Sequence, residues 1–487
     1  MLWIGFLTRL RSIARRAANR RVGGGRNRRR LGRHVPQPGE PLAGLIWPAS
    51  GRVHLRYRRE YNPFADVGTG SQLPAFLPRI AESSVASRLA THGGVLVTGA
   101  KATGKTTLAR KFAASEVRLD QDRAALAAAR VDPALVLEGP APRLIDEYQL
   151  VAGLWEAVRG RIDDAQTKGL FLLTGSSTPD DALVLHTGAR RIAPIRLGTM
   201  TFYERGLSSG AMSLGSLLES HPLGVITDRI SVTEAVDAIV IGGWPTNVGL
   251  STSQALEANI DYLDMIVNAD VRRVDGVQRD PDGVRRVIAS YARNVGTDCS
   301  LRAIGRAAEE PLAEPTLHDY IRALRRLFLI EDQDAWAPRL RSRIRLAATP
   351  KRHLVDPSLA VAAVGATTKR LLGPEIEWTG FLFESQVTHD VRVYGLPHRA
   401  TVRFYRDNKG LEVDAILETP DGLWLGFEMK LGSSRIDEGA SNLLAMRGKL
   451  AADAQERCRG LVVVVADSPT YRRPDGVIVT SIAAIGP

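Results

Sequence analysis

From residue 77 onward the apolar positions fall into short continuous runs separated by stretches with helical spacing. Residues 95–98, 117–120, 143–147 and 170–174 are runs of strand length, whereas 80–91, 107–115 and 124–130 set apolar side chains three and four apart. Continuous apolar strands alternating with amphipathic helices predict a parallel sheet covered on both faces. The chemistry of such a sheet sits at the carboxyl ends of its strands.

The pattern then changes. Residues 211–275 read as mostly helical, broken at Gly242-Gly243-Trp244-Pro245, a rigid turn carrying an exposed or interfacial aromatic. This is the outline of a small helical lid. Residues 284–292 and 301–307 are two further helices. A third begins after Pro315, capped by Thr316, with Leu317, Tyr320, Ile321, Leu324 and Phe328 on one buried face. Arg322, Arg325 and Arg326 fall off that face, and a basic hairpin at 339–345 follows. Helix, short helix, turn, helix and hairpin predict a winged-helix unit. The last segment reads as a separate α/β domain. It has a helix at 380–391, strands at 402–405, 411–417 and 423–430, a helix at 437–452 and a core strand at 461–465. The expected fold class is α/β, divided into an arm (1–70), a parallel-sheet core (71–210), a lid (211–275), the winged-helix-like unit (276–365) and the terminal α/β domain (366–487).

Composition changes this picture in three places. A chain of 487 residues is too long for one core, and no apolar run approaches the roughly 18 residues that span a bilayer. Cys299 and Cys458 are the only cysteines, which excludes a disulfide framework and suits a reducing, cytoplasmic setting. The net charge of +12 is not spread evenly: residues 1–60 hold fifteen arginines against Glu40 and Glu60, leaving the rest of the chain at −1. The first 70 residues alternate these arginines with Gly and Pro and predict disorder. Three readings of this arm stand: a nucleic-acid-binding arm, a membrane-surface tether, or an extension from a misplaced start codon. The last is preferred, because globular patterning begins only near Leu77-Pro78-Arg79.

Candidate chemistry centres on Gly99-Ala100-Lys101-Ala102-Thr103-Gly104-Lys105-Thr106, a G-x-x-x-x-G-K-T loop between the 95–98 strand and a helix opening with Thr107. Strand, glycine-permitted turn and helix N-terminus are what a phosphate cradle requires. Lys105 is expected on the β- and γ-phosphates of ATP and Thr106 on Mg²⁺. Asp146 and Glu147 end the 143–147 run, where the first can hold Mg²⁺ and the second can polarise the attacking water. Thr174 or Ser176 is placed to sense the γ-phosphate. Arg190 and Arg191 are candidates for an arginine finger, in cis or from a neighbouring subunit.

Only nine of the 65 basic residues are lysines, so each lysine is a candidate for chemistry that a guanidinium cannot perform. Lys430 is one. A period of two puts Glu428 and Lys430 on one strand face beside Asp414, with Glu412 sharing Asp414's face. Two carboxylates on a divalent ion plus a lysine near the scissile phosphate suit metal-assisted phosphodiester hydrolysis, and the helical Glu384 can complete the metal shell.

Together these stretches resemble the prokaryotic AAA-type ATPases fused to domain of unknown function 4143. The matching residues are 76–79, 99–106, 144–147, 173–176, 188–192, 242–245, 380–384, 405–407, 410–414 and 427–432. The resemblance covers 75–487 and leaves the arm outside. It implies a P-loop ATPase core and an end domain similar to PD-(D/E)xK restriction-endonuclease folds. Arg190 stands where that family would carry a small residue, which favours Arg191 as the finger. The expected function is ATP hydrolysis coupled to action on DNA through the winged helix and the nuclease-like domain. The alternative is a non-nucleolytic switch that recognises a protein partner; self-association into a homo-oligomer is compatible with either.

Overall fold

The computed structural model describes residues 77–177, 189–308, 310–338 and 349–487. All of them lie in one compact unit, Asp66–Pro487. The arginine-rich arm, the expected hairpin at 339–345 and residues 186–188 fall outside the described residues.

Five parallel strands make the first sheet: β1 (Gly94–Thr98), β2 (Ser115–Arg118), β3 (Arg143–Asp146), β4 (Phe171–Gly175) and β5 (Ile192–Arg196). Their order is β2-β3-β4-β1-β5. Strand β1 is sandwiched, with Val95 and Val97 packed against Leu108 and Ala109 on one face and Leu96 facing the cluster around Leu154 and Val158 on the other. Because β4 inserts between β1 and β3, the carboxyl ends of these three strands converge. Helix α1 (Lys105–Arg110) follows the glycine loop and is shorter than the apolar spacing at 107–115 suggests. Its continuation is drawn off by the sheet: Ala114 N–H bonds Pro142 O, and Ser115 already belongs to β2.

A two-residue strand β6 (Met212–Ser213) leads into a helical region. Helices α2 (Val232–Ile241) and α3 (Thr252–Met265) each open in a capping box, Ser231 with Glu234 and Ser251 with Gln254. Helix α3 runs on into a π-helical turn, Ile266–Asp270. Helices α4 (Pro281–Arg293) and α5 (Glu314–Arg326) follow. Thr316 is not the cap of α5. The helix begins two residues earlier with Pro315 in its first turn, where a missing N–H leaves no bond unmade. Beyond it, Ile330 pairs antiparallel with Leu354 and Gln333 with Lys351. Helix α6 (Pro357–Val364) then packs on α3 and α4.

The long helix α7 (Ile376–Tyr394) introduces the second sheet. Its strands are β7 (Thr401–Arg406), β8 (Glu412–Glu418), β9 (Trp424–Met429), β10 (Cys458–Val465), β11 (Tyr471–Arg472) and β12 (Ile478–Ser481), ordered β11-β12-β10-β9-β8-β7. Strands β7, β8 and β9 are antiparallel, and β9, β10 and β12 parallel. Helix α8 (Ile436–Lys449) makes the β9–β10 crossover. It covers Val463 and Val465 on one face of the sheet, while Phe427, Val462 and Val464 join α7 on the other.

The terminal segment is not a detached domain. One apolar core contains Phe202, residues of α2 to α7 and strand residues as far as Ile485, so the expected boundaries at 275 and 365 cross continuous packing. The last strand, β13 (Ile485–Gly486), pairs in parallel with β6, and Ile226 bridges Thr470. The chain end is thereby fastened beside the segment that leaves the first sheet.

Candidate functional site

The glycine loop has the backbone that a phosphate cradle needs. Gly104 is left-handed (φ +89°) and caps α1, and Ala102 also has positive φ. A Cβ on Gly99 would sit 2.2 Å from Leu197 O, so only glycine lets the loop pass the strand behind it. Thr103 Oγ1 donates to Ala100 O within the loop. The loop is clamped from beneath by Arg79, whose Nη1 donates to Thr103 O at 2.7 Å and Nη2 to Gly198 O at 2.8 Å. Arg79 is itself paired with buried Glu204.

Lys105 is buried, and its Nζ donates to Ala100 O at 2.8 Å. Burial pulls its ammonium down to about 8, against the upward pull of Glu147 and Asp146. A cation held by a single carbonyl in so dry a place is short of a counter-charge. Thr106 Oγ1 donates to Asp146 Oδ1 at 2.8 Å, and Thr174 donates to the same oxygen. Hydroxyl and carboxylate oxygens are the donors that Mg²⁺ accepts, so Thr106 and Asp146 fit the ion expected with a nucleotide. Glu147 follows in a left-handed backbone conformation that turns it out of the strand line. Ser176 Oγ donates to Glu147 Oε2 at 2.9 Å, and the Gln149 amide donates to the same oxygen. Thus Lys105, Thr106, Asp146, Glu147, Thr174 and Ser176, chosen from sequence, meet at the carboxyl ends of β1, β3 and β4. Thr107 is exposed on the first turn of α1.

Arg191 does not join them. It precedes β5, whose amino-terminal end lies beside Gly94, the far end of β1 from the loop. Its guanidinium pairs with Asp163 at 2.8 Å. A finger in cis is therefore corrected: Arg191 stands at the wrong end of a parallel sheet, and Arg190 beside it shares that position.

Sequence reasoning missed how the helical region closes on the loop. Lys101 Nζ lies 2.5 Å from Asp270 Oδ1 of the π-helical turn, and Tyr262 OH donates to Lys101 O. Of the two expectations for Trp244, exposed or interfacial, the structure has the second: it is buried and stacks on Tyr262 with ring centroids 4.6 Å apart. Gly243 N–H donates to Asp356 Oδ2, and its carbonyl accepts from Met200 N, so the Gly-Gly-Trp-Pro turn ties the lid to α6 and to the chain leaving β5.

The second sheet gathers the other set. The β8–β9 pairing, Ala415 with Phe427, places Asp414 opposite Glu428 when extended by one residue. Asp414 Oδ2 accepts from Met429 N at 2.8 Å, and Lys430 Nζ lies 2.8 Å from Glu428 Oε2. Glu384 of α7 and Glu412 come into the same cluster. What joins them is a residue that sequence reasoning passed over. Lys351 Nζ lies 2.7 Å from Glu384 Oε1, 2.6 Å from Glu412 Oε1 and 3.4 Å from Asp414 Oδ1. Burial pushes the carboxyls of Glu384 and Glu428 up to about 8. Burial alone would lower the Lys351 ammonium, but Glu384, Asp414 and Glu412 hold it well above its usual value. The scarcity of lysine was the available signal for it.

Comparison with known proteins fits this division. Residues 91–205 match the family described as AAA domain, residues 233–370 domain of unknown function 8612, and residues 379–485 domain of unknown function 4143. The chain thus carries an AAA-type P-loop domain joined to a 4143 domain. A single family spans most of the lid and the third unit, in keeping with their shared core. Two uncharacterized proteins, Mb2031c of Mycobacterium bovis and Rv2008c of Mycobacterium tuberculosis, are each 26% identical over 349 residues, 70% of this chain and 70% of theirs. Among solved structures, the Walker-type ATPase PABY2304 of Pyrococcus abyssi is 12% identical. The match covers 59% of this chain and 96% of that one at a TM-score of 0.36. A RuvB variant of Thermotoga maritima is 17% identical over 52% of this chain and 88% of that one, at a TM-score of 0.25. Among the described residues no helix is long and apolar enough to cross a membrane.

Proposed function

We propose that this chain binds ATP with Mg²⁺ and hydrolyses it, and that its helical region and 4143 domain respond to the nucleotide and act on DNA. The observation that carries the ATPase reading is the hydrogen-bonded line Thr106–Asp146–Thr174 beside Lys105, with Glu147 one residue further. Lys105 receives the β- and γ-phosphates and in doing so gains the counter-charge it lacks. Thr106 and Asp146 would hold Mg²⁺, which would offset the negative charge on the phosphates. Glu147, released from Ser176 and Gln149, orients the attacking water. The lid responds through Lys101 and Tyr262, because both touch the loop that the phosphates enter.

The DNA reading is supported by the run of α4, the short helix Leu301–Arg306 and α5 followed by an antiparallel pairing, the order of a winged helix. One observation favours the second reading, a switch that recognises a protein partner. Arg325 is paired with Asp332 and Arg326 with Asp275, which offsets the charge they would offer a phosphate backbone. The deciding experiment incubates purified protein with Mg²⁺, with and without ATP, on linear and supercoiled DNA, following both phosphate release and DNA binding. Phosphate release abolished by Glu147→Gln supports the ATPase. DNA binding that changes with nucleotide supports the first reading over the second. No phosphate release from wild-type protein under any condition overturns the ATPase.

A further inference from the structure

We propose that Lys351 is a built-in cation: its ammonium takes the place that a divalent metal would need in the carboxylate cluster of the second sheet. The cluster then fastens the 330–354 strand pair to that sheet instead of serving as a metal-dependent hydrolytic centre.

The stoichiometry of contacts carries this. An ammonium has three N–H donors and no acceptor. Lys351 Nζ has three carboxylates around it, Glu384, Glu412 and Asp414, each within ion-pair distance. These include Glu384 and Asp414, two of the three residues expected to ligate a metal. The other oxygen of Asp414 accepts from Met429 N, and Glu428 is ion-paired with Lys430. Among the described residues no group of three or more His, Cys, Asp or Glu is arranged to hold a metal ion.

The backbone that carries Lys351 is fixed beside the cluster. Lys351 N donates to Gln333 O and Gln333 N to Lys351 O, both at 2.9 Å, and Gln333 Nε2 donates to Asp414 O at 3.1 Å. The lysine head lies over the Phe404 ring, 5.7 Å from its centroid. A divalent ion entering here would have to displace the Lys351 ammonium from the carboxylates it already pairs with. The metal expected at Glu384, Asp414 and Glu428 therefore does not fit the residues present, and the role left to the cluster is mechanical. It joins β8 and α7 to the strand that leads into α6, and α6 holds the Gly243 turn through Asp356.

The test is a Mn²⁺ titration of the full chain without nucleotide, read by electron paramagnetic resonance. Wild-type protein and Asp414→Asn are expected to give the same isotherm. Lys351→Ala, with its ammonium removed, is expected to gain one Mn²⁺ site at least about tenfold tighter than any in wild type. Adding Asp414→Asn to it should remove that site, and Mn²⁺ should raise the melting temperature of Lys351→Ala alone. A site in wild type that Asp414→Asn abolishes overturns the proposal, as does a folded Lys351→Ala that gains none. Should Lys351→Ala fail to fold, the comparison of wild type with Asp414→Asn decides by itself. The result is independent of the ATPase reading, since a wild type that hydrolyses no ATP leaves the Mn²⁺ isotherms unchanged.

Discussion

Two buried lysines, one in each sheet's site, show how the same side chain marks opposite roles. Lys105 rests on one carbonyl, and burial lowers its ammonium to about 8. Lys351 rests among three carboxylates that hold its ammonium well above the usual value. A cation with too little negative charge around it is poised for an anionic ligand, and the gain on binding includes the burial cost already incurred. A cation already surrounded by three carboxylates has no such vacancy. By this measure the first sheet carries a binding site and the second a cross-link, although both present the acids and lysines of phosphate chemistry.

The largest effects should break the two sites in different currencies. Glu147→Gln should lower ATP turnover by roughly 10²–10⁴-fold, the span of a lost general base, with nucleotide affinity kept. Its fold should be unaffected, because the substitution preserves shape and Gln149 and Ser176 can still bond the amide. Phosphate release at the wild-type rate would show that Glu147 is not the catalytic base. Lys351→Ala should do the reverse. Removing one partner from a buried ion cluster costs about 3–5 kcal/mol, since the carboxylates left behind have no counter-charge. Denaturant unfolding should show this loss, while turnover measured on the folded fraction stays close to wild type. If Lys351→Ala were as stable as wild type, the cross-link reading would fail.

How much of this could be read from the chain alone follows the distance between cooperating residues. The P-loop is local: strand, glycines, Lys105 and Thr106 are consecutive, so pattern and chemistry coincide. Asp146, Glu147 and Thr174 were also legible, because a parallel sheet sends the carboxyl ends of all its strands to one side. Asp414, Glu428 and Lys430 followed from the period of two. Lys351 did not, since it reaches Glu384, Glu412 and Asp414 only through a tertiary pairing, and no periodicity joins position 351 to position 414. Arg191 was misread for a simpler reason. It precedes its strand, and the same rule that gathers the acids at the carboxyl ends sends Arg191 to the other end.

The comparison sharpens with pH. Nucleotide should bind the protonated form of Lys105, whose ammonium in the empty loop is held down to about 8. Below that pH the charge is already present, and affinity should be flat. Above it, each binding event must take up a proton, so affinity should fall by up to about tenfold per pH unit. The slope should stop when the deprotonation pH of the bound form is reached. Calorimetry of ADP binding at pH 9 in buffers of different ionisation enthalpy should reveal uptake of nearly one proton, against none at pH 7. Proton uptake that is equal at both values would show that Lys105 does not meet the phosphates in this way.

The smallest effect is expected at Arg191, and it separates one subunit's chemistry from two. Its guanidinium is exposed, pairs with exposed Asp163 and lies at the amino-terminal end of the sheet. An exposed pair of this kind contributes little to stability, so Arg191→Ala should leave the melting temperature unchanged. Within one subunit it should also leave turnover unchanged, because the length of β1 separates it from Lys105 and Glu147. A second copy is the one source from which an arginine in this position can reach a γ-phosphate. Turnover per subunit should then rise with protein concentration in wild type and stay flat in Arg191→Ala, the two curves meeting at high dilution. A loss of turnover in Arg191→Ala that persists at high dilution would contradict the placement of Arg191 away from its own loop. Turnover that is independent of concentration and equal in both proteins would remove Arg191 from the catalytic set altogether.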